Sequence, residues 1–299
     1  MPQPAIAFST PPQAARWQRW LLFSPLARML TFTALLFSAA FLLGFVANML
    51  GWHTQPASPL QHPLGFFSGR VLPAVAAYLL LVRLVERRHP AELALRKLLP
   101  DGAAGLLLGA GLFSVVVATL YLLGCYHVTA FNPAAPWLAA LLVYGLGAGI
   151  SEEILFRGVL YRIVEEGLGS WAALLLSALF FGFAHGANPG ATAWSSAAIA
   201  IEAGLLFGLL YHLTRSLYLC MGVHAAWNFS QGTVYGIPVS GLKADGWLVS
   251  TRSGPDWLSG GVFGAEASVV ALLACSLCTL GLLMVAVRRG TIVKPVWLR

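Results

Sequence analysis

The chain has 299 residues, is 58% hydrophobic and 10% charged, and carries a mean hydropathy of +0.77 with a formal net charge of +7. A soluble domain is nearer a quarter charged, so the composition excludes an ordinary water-soluble protein and describes a polytopic membrane protein. The basic excess does not point to nucleic acid, because no basic stripe with interleaved aromatics runs along the chain. In such a protein the placement of Lys and Arg reports orientation.

Residues 1–15, rich in Pro, Gln, Ala and Thr, read as a disordered tail. Arg16 to Arg28 interleaves Trp17, Trp20, Leu21, Leu22 and Phe23 with Arg16 and Arg19, which suits a short helix lying at the interface. The first apolar run starts near Met29 and has membrane-spanning length, too long for the core of a secretory signal. At about 20 apolar residues per span, eight spans are expected, near 29–50, 64–85, 103–124, 136–158, 171–186, 193–212, 216–232 and 264–287. The expected fold is an all-α helix bundle. It divides into an N-terminal tail with an interfacial segment (1–28), one transmembrane domain (29–290) with a motif-bearing core at about 135–230, and a cytoplasmic tail (291–299).

Under this arrangement one side collects Arg16, Arg19 and Arg28; Arg83, Arg87, Arg88, Arg96 and Lys97; Arg162; Arg215; and Arg288, Arg289, Lys294 and Arg299. The other side has only Arg70, Lys243 and Arg252. Such asymmetry predicts an even number of spans with both termini cytoplasmic. The long connection 233–263 carries Gly, Ser, Pro, Trp247 and Trp257, and reads as filler resting at the interface, with a lid or an anchor as the alternatives. Gly145, Gly147 and Gly149 and the pair Gly204/Gly208 predict close helix approach. Cys125, Cys220, Cys275 and Cys278 read as packing residues, since the one C-x-x-C pair lacks the second pair a zinc ribbon needs.

The chemistry concentrates in Ser151-Glu152-Glu153-Ile154-Leu155-Phe156-Arg157-Gly158, two carboxylates and a guanidinium inside an apolar run. Charges at membrane depth are costly, and mark functional sites by default. Neighbouring helical residues point about 100° apart, so Glu152 and Glu153 cannot both face one cavity squarely. Glu153 and Arg157, at i and i+4, can pair along one face and leave Glu152 for a cavity as a base. His224 and Asn228 are also i and i+4, and His185 closes its span four residues after Phe181. One Glu, two His and an Asn from three helices suffice to hydrolyse a bond with water: a carboxylate takes the proton, and His with Asn steadies the oxyanion. Glu152, His185 and His224 could instead hold zinc with an open fourth position.

These three signatures, Glu152-Glu153-x-x-x-Arg157, Phe181-x-x-x-His185 and His224-x-x-x-Asn228, resemble those of the CAAX protease and bacteriocin-processing family, the Rce1-like or Abi intramembrane proteases. The likeness covers roughly residues 135–230. It implies an eight-helix membrane endopeptidase in which Glu152 and His185 activate water, His224 and Asn228 form the oxyanion site, and Glu153 and Arg157 support them. It also implies a peptide or protein substrate reached within the lipid bilayer, in some members a prenylated C-terminal peptide. Family members are described both as zinc metalloproteases and as metal-independent glutamate proteases, so either no cofactor or a divalent metal is expected. The Asn would be a poor third zinc ligand, which favours the metal-free form.

Glu202 stands in span six outside the signatures, as a partner for a site histidine or as a cavity-lining residue, and contributes a supporting role. Tyr211 and His212, near the end of that span, read as interfacial. By helical rise, Glu152 and His224 come out nearer the cytoplasmic face than His185. Two rival readings remain: a non-enzymatic immunity or scaffold protein of the same fold, and a proton- or metal-coupled transporter. The second is disfavoured because the halves show no repeat.

Overall fold

A computed structural model describes residues 6–52 and 60–299. The first five residues of the expected tail, and the stretch 53–59 between the first two expected spans, lie outside the described residues. The short helix α1 (Arg16–Leu21) is followed by α2 (Pro25–Met49), where the Ser24 hydroxyl accepts from the Ala27 N–H at 3.2 Å and Pro25 occupies the first turn. The chain continues through α3 (Gln61–Val85), α4 (Leu98–Leu122), α5 (Trp137–His185), α6 (Ala193–Thr214), α7 (217–234) and α8 (Val269–Arg288).

Six of these helices, α2, α3, α4, α5, α6 and α8, are long and apolar enough to cross a membrane, against the eight spans expected. The difference has two sources. Expected spans four and five are joined in α5, whose helical path is interrupted only at Gly169 (φ 83°, ψ 173°). The other is α7, too rich in polar side chains to stand out: it carries His224, Asn228, Ser230, Gln231 and Thr233. The all-α expectation also needs a small amendment, because β1 (Tyr126–Phe131), between α4 and α5, pairs antiparallel with β2 (Leu248–Arg252), between α7 and α8. Strand-forming Tyr126, Val128, Thr129, Val249 and Thr251 were absorbed into connections by a reading keyed to apolar spans.

Gly169 is fixed by more than its backbone angle. A Cβ there would lie 2.6 Å from the Val293 carbonyl, because the C-terminal segment lies against the break. The Ser170 N–H donates to the Val293 carbonyl at 3.0 Å, and the Val293 N–H donates to the Ser170 hydroxyl at 2.9 Å. Arg299 then donates to the Glu165 and Glu166 carbonyls. The tail thus satisfies backbone groups that a helix interruption leaves open.

The closest helix pairing is α4 against α7. Cβ atoms added at Gly105 and Gly109 would each fall 2.3 Å from a backbone carbonyl of α7, those of Leu219 and Val223. Small residues that let backbones approach supply van der Waals contact where lipid removes the hydrophobic drive. Gly149 and Gly204 likewise abut Met221 and Ala178, as expected. The outer surfaces of the helices carry exposed Phe37, Phe41, Leu107, Leu122, Phe183 and Leu277, the pattern of a lipid-facing bundle.

A charged cluster closes the end of the bundle where α3 finishes. Glu86 accepts from Arg28 and Arg162, both at 2.9 Å, and from Arg88 at 2.8 Å; Glu166 bridges Arg28 and Arg162 at 2.7 and 3.0 Å; Arg88 continues to Glu92, which also receives the Tyr78 hydroxyl. Beside it, Glu165 binds His212 at 2.9 Å, Ser170 at 2.8 Å and the Arg215 guanidinium. Tyr211 and His212 are therefore buried, not interfacial: a single acidic side chain drawn inward supplies the imidazole with a partner.

Two predictions follow from this packing. Gly109→Val should cost roughly 1–3 kcal/mol or more through overpacking, read as a lowered Tm in detergent. Burial opposes ionisation of Glu86, but Arg162, Arg88 and Arg28 outweigh it and hold the carboxyl below its usual range; for Glu92, burial is likewise outweighed by Arg88 and Tyr78. A depressed native pKa gives stability that is complete above the unfolded value of about 4.3 and lost as pH falls through the native one. The Tm should accordingly be level from neutrality down to about pH 5 and fall below it.

Candidate active site

The Ser151–Gly158 stretch lies near the middle of the first half of α5, after a widened turn with i to i+5 bonding at Leu141–Gly147 and running into a second one at Ile154–Tyr161. Such turns re-aim side chains and gather at functional positions. Glu153 and Arg157 are both wholly buried and pair at 2.9 Å, as their spacing predicts. Arg157 also donates to the carbonyls of Ala203 and Gly204, at 2.9 and 3.2 Å, and stacks against Phe181 and Phe207 with ring centroids 4.7 and 5.2 Å away. One guanidinium thereby joins both halves of α5 to α6.

The oxygen of Glu153 that binds Arg157 also lies 2.8 Å from His224 Nδ1. A carboxylate only accepts, so Nδ1 carries the hydrogen and the Nε2 lone pair is left free. That Nε2 points toward Glu152, whose Oε2 is 3.9 Å away and has no hydrogen-bond partner among the described residues. His185 is oriented in the same sense: its Nδ1–H donates to the Phe181 carbonyl at 2.8 Å, which explains the i, i+4 spacing of that signature. Asn228 donates through Nδ2 to the Tyr144 carbonyl at 2.9 Å, so its amide is fixed as well.

Glu152, His185, His224 and Asn228 all line one cleft of about 290 Å³. The difference in depth inferred from helical rise disappears because α5 runs on to Gly169 before turning, which shifts Glu152 to mid-helix. Glu202 lies elsewhere. It lines a smaller cavity behind the two histidines, in the widened turn Ala200–Leu205, and makes no hydrogen bond to a site histidine.

Two cleft features were invisible in the sequence. Arg70 of α3 donates to Glu152 Oε1 at 2.9 Å; it had been read only as an outer-side charge, and its partner is 82 positions away. The other is the loop 233–263, which is structured rather than filler. Val239, Ser240 and Leu242 form part of the cleft wall, Ile237 and Val239 are buried, and Ser240 adopts φ 48°, uncommon for a non-glycine residue. The signal was present in Gly236-Ile237-Pro238-Val239, apolar residues between turn formers.

The zinc alternative finds partial support. Each histidine has Nδ1 engaged and Nε2 free, as metal-binding imidazoles do. Yet among the described residues no three His, Cys, Asp or Glu side chains lie together so as to hold an ion, and one Glu152 oxygen is occupied by a cation. As placed, these residues do not form a metal ligand set.

Residues 133–230 match the family model described as type II CAAX prenyl endopeptidase Rce1-like. The match covers about a third of the chain. It spans all three signatures and the helices that bring them together, and with the membrane-crossing helices it marks an integral multi-pass protein. No curated protein matches the chain.

The central ion pair can be tested directly. Arg157→Ala would leave Glu153 charged and buried, a loss of about 3–5 kcal/mol, so the purified variant should unfold at markedly lower temperature. Arg157→Lys should fall between, keeping the charge but not the planar fork that reaches a carboxylate and two carbonyls at once.

Proposed function

We propose that the chain is an intramembrane endopeptidase that hydrolyses a peptide bond with a water molecule activated by Glu152. The observation that carries this reading is the gap between Glu152 Oε2 and His224 Nε2. At 3.9 Å it is too wide for a direct hydrogen bond. A water about 2.8 Å from each atom bridges it with normal geometry.

In the proposed reaction that water gives its proton to Glu152 Oε2 while its oxygen attacks the scissile carbonyl carbon. His224, fixed by Glu153, orients the water through Nε2; His185, fixed by the Phe181 carbonyl, faces the same cleft and shares this task. Asn228 retains one N–H beyond the bond to Tyr144, and offers it to the developing oxyanion. Glu152 then passes its proton to the departing amine, leaving a carboxylic acid and a free amine, so atoms and protons balance. Arg70 holds Oε1 at 2.9 Å and so positions that carboxylate at the cleft wall.

The substrate class follows from the setting: a peptide or protein segment, lipidated or not, that reaches the cleft from the bilayer. The site residues are carried by one transmembrane helical domain over 29–290, with both termini cytoplasmic. Under that orientation Arg70, His185 and Asn228 lie toward the outer half of the bundle, beneath the loop that walls the cleft. No step is routed through a metal.

The test is cleavage of a lipidated C-terminal peptide library by detergent-purified protein. Wild type should cleave, Glu152→Gln should lose at least about 100-fold in kcat/KM, and a strong chelator should leave wild type unaffected. Loss on chelation with recovery on adding zinc would replace the proposed water activation by a metal-based one. Absence of cleavage by wild type, with a cellular phenotype that survives Glu152→Gln, would leave the immunity or scaffold reading.

A further inference from the structure

Behind His185 and His224 lies a second cavity that the proposed reaction does not use. It measures about 30 Å³, and its polar lining is Glu202, Glu266, His185, His224, Asn228 and Ser240. A water needs roughly 10–15 Å³ on this measure, so the chamber accommodates one. Glu202 comes from the widened turn of α6. Glu266 comes from the short turn Ala265–Ala267, where the loop 233–263 leads into α8.

Both carboxyls are buried, at 2% and 4% exposure. Oε2 of Glu202 and Oε1 of Glu266 have no hydrogen-bond partner among the described residues. Neither side chain forms an ion pair among the described residues, in contrast to Glu86, Glu92, Glu152, Glu153, Glu165 and Glu166, which all do. Ser240 hydrogen-bonds the Glu266 carboxyl through its side chain and backbone, but among the described residues no cation pairs with either carboxyl, so full charge on both would set two like charges together in one buried chamber.

We propose that Glu202 and Glu266 form a proton- and water-binding site, in which one water molecule bridges the two carboxyls, one proton is held between them, and the single remaining negative charge stands behind His185 and His224. Other charged or titratable groups facing this chamber from the surrounding helices and loop are accounted for. Arg157 is spent on Glu153 and two carbonyls, and Arg70 on Glu152. Cys275 of α8 is a neutral thiol in the wall. Arg252 of β2 is within electrostatic reach of Glu266 and Asp256 without an ion pair to either. The two carboxyls are positioning residues: they touch no reacting atom, and they act on the reaction only through the two imidazoles that share their chamber. This catalytic role rests on the peptidase reading; the proton-binding site does not.

The experiment is infrared spectroscopy of the full chain in lipid nanodiscs at neutral pH. Wild type should show a C=O stretch of a protonated carboxylic acid that moves on exchange into D2O. The band should persist in Glu152→Gln and vanish in the double variant Glu202→Gln/Glu266→Gln. Absence of the band in wild type, or its survival in the double variant, overturns the site, whatever the outcome of any cleavage assay. If the double variant does not fold, Glu266→Asp carries the test, because a displaced carboxyl must shift the band and an unchanged frequency overturns the assignment. With a cleavable peptide in hand, Glu266→Gln should move the acid limb of the kcat/KM profile to lower pH by roughly one unit. A loss of activity equal at every pH, with the limb unmoved, would reduce Glu266 to a structural residue.

Discussion

Every other feature of this bundle depends on how Arg157 is neutralised. A guanidinium with no accessible surface, in a chain surrounded by hydrocarbon, must meet all its needs internally. Glu153 supplies the charge, two α6 carbonyls accept further N–H groups, and two aromatic faces cover the plane. Because the same Glu153 oxygen also holds His224, the salt bridge that fixes the helices fixes the tautomer of the histidine opposite Glu152. Structural and chemical roles are therefore inseparable at Glu153. A variant there removes the support of an arginine and of an imidazole together, which is why Glu152, not Glu153, is the informative position for chemistry.

The charged cluster at the end of α3 follows the same logic with a different result. Arg28, Glu86, Arg162 and Glu166 alternate in sign, so no member is left with an uncompensated charge. Arginines that mark the cytoplasmic side in a topology count are here buried and paired. What changes is the view of these residues as free loop charges: they tie α2, α3 and α5 together.

The legible part of the site was the part written at helical spacing. Glu153/Arg157, Phe181/His185 and His224/Asn228 are each i and i+4, and each pair is explained by one contact or one shared cleft wall. Contacts between distant segments were not legible. Arg70 of α3 reaches Glu152 of α5, and Glu266, inside the expected eighth span 264–287, arrives at the inner chamber from the turn Ala265–Ala267. The helix boundaries were legible as well: Gly169 turns the chain between the expected spans 136–158 and 171–186, beside Arg162, Glu165 and Glu166, and α7 falls on the expected span 216–232.

The 233–263 loop shows that the cleft is not built from helices alone. Helix residues such as Tyr144, Glu152 and His224 form most of its lining, and the loop adds Val239, Ser240 and Leu242. Its position is secured at several points: Gln231 donates to the Pro238 carbonyl, the Gly241 N–H donates to the Phe263 carbonyl, and Trp247 packs on Phe229. The left-handed Ser240 is held between these fixings and borders both the cleft and the inner chamber. A strained residue persists only where its surroundings over-determine it. Here the surroundings are the Pro238 and Phe263 contacts on either side, which hold Ser240 in the wall shared by the cleft and the inner chamber.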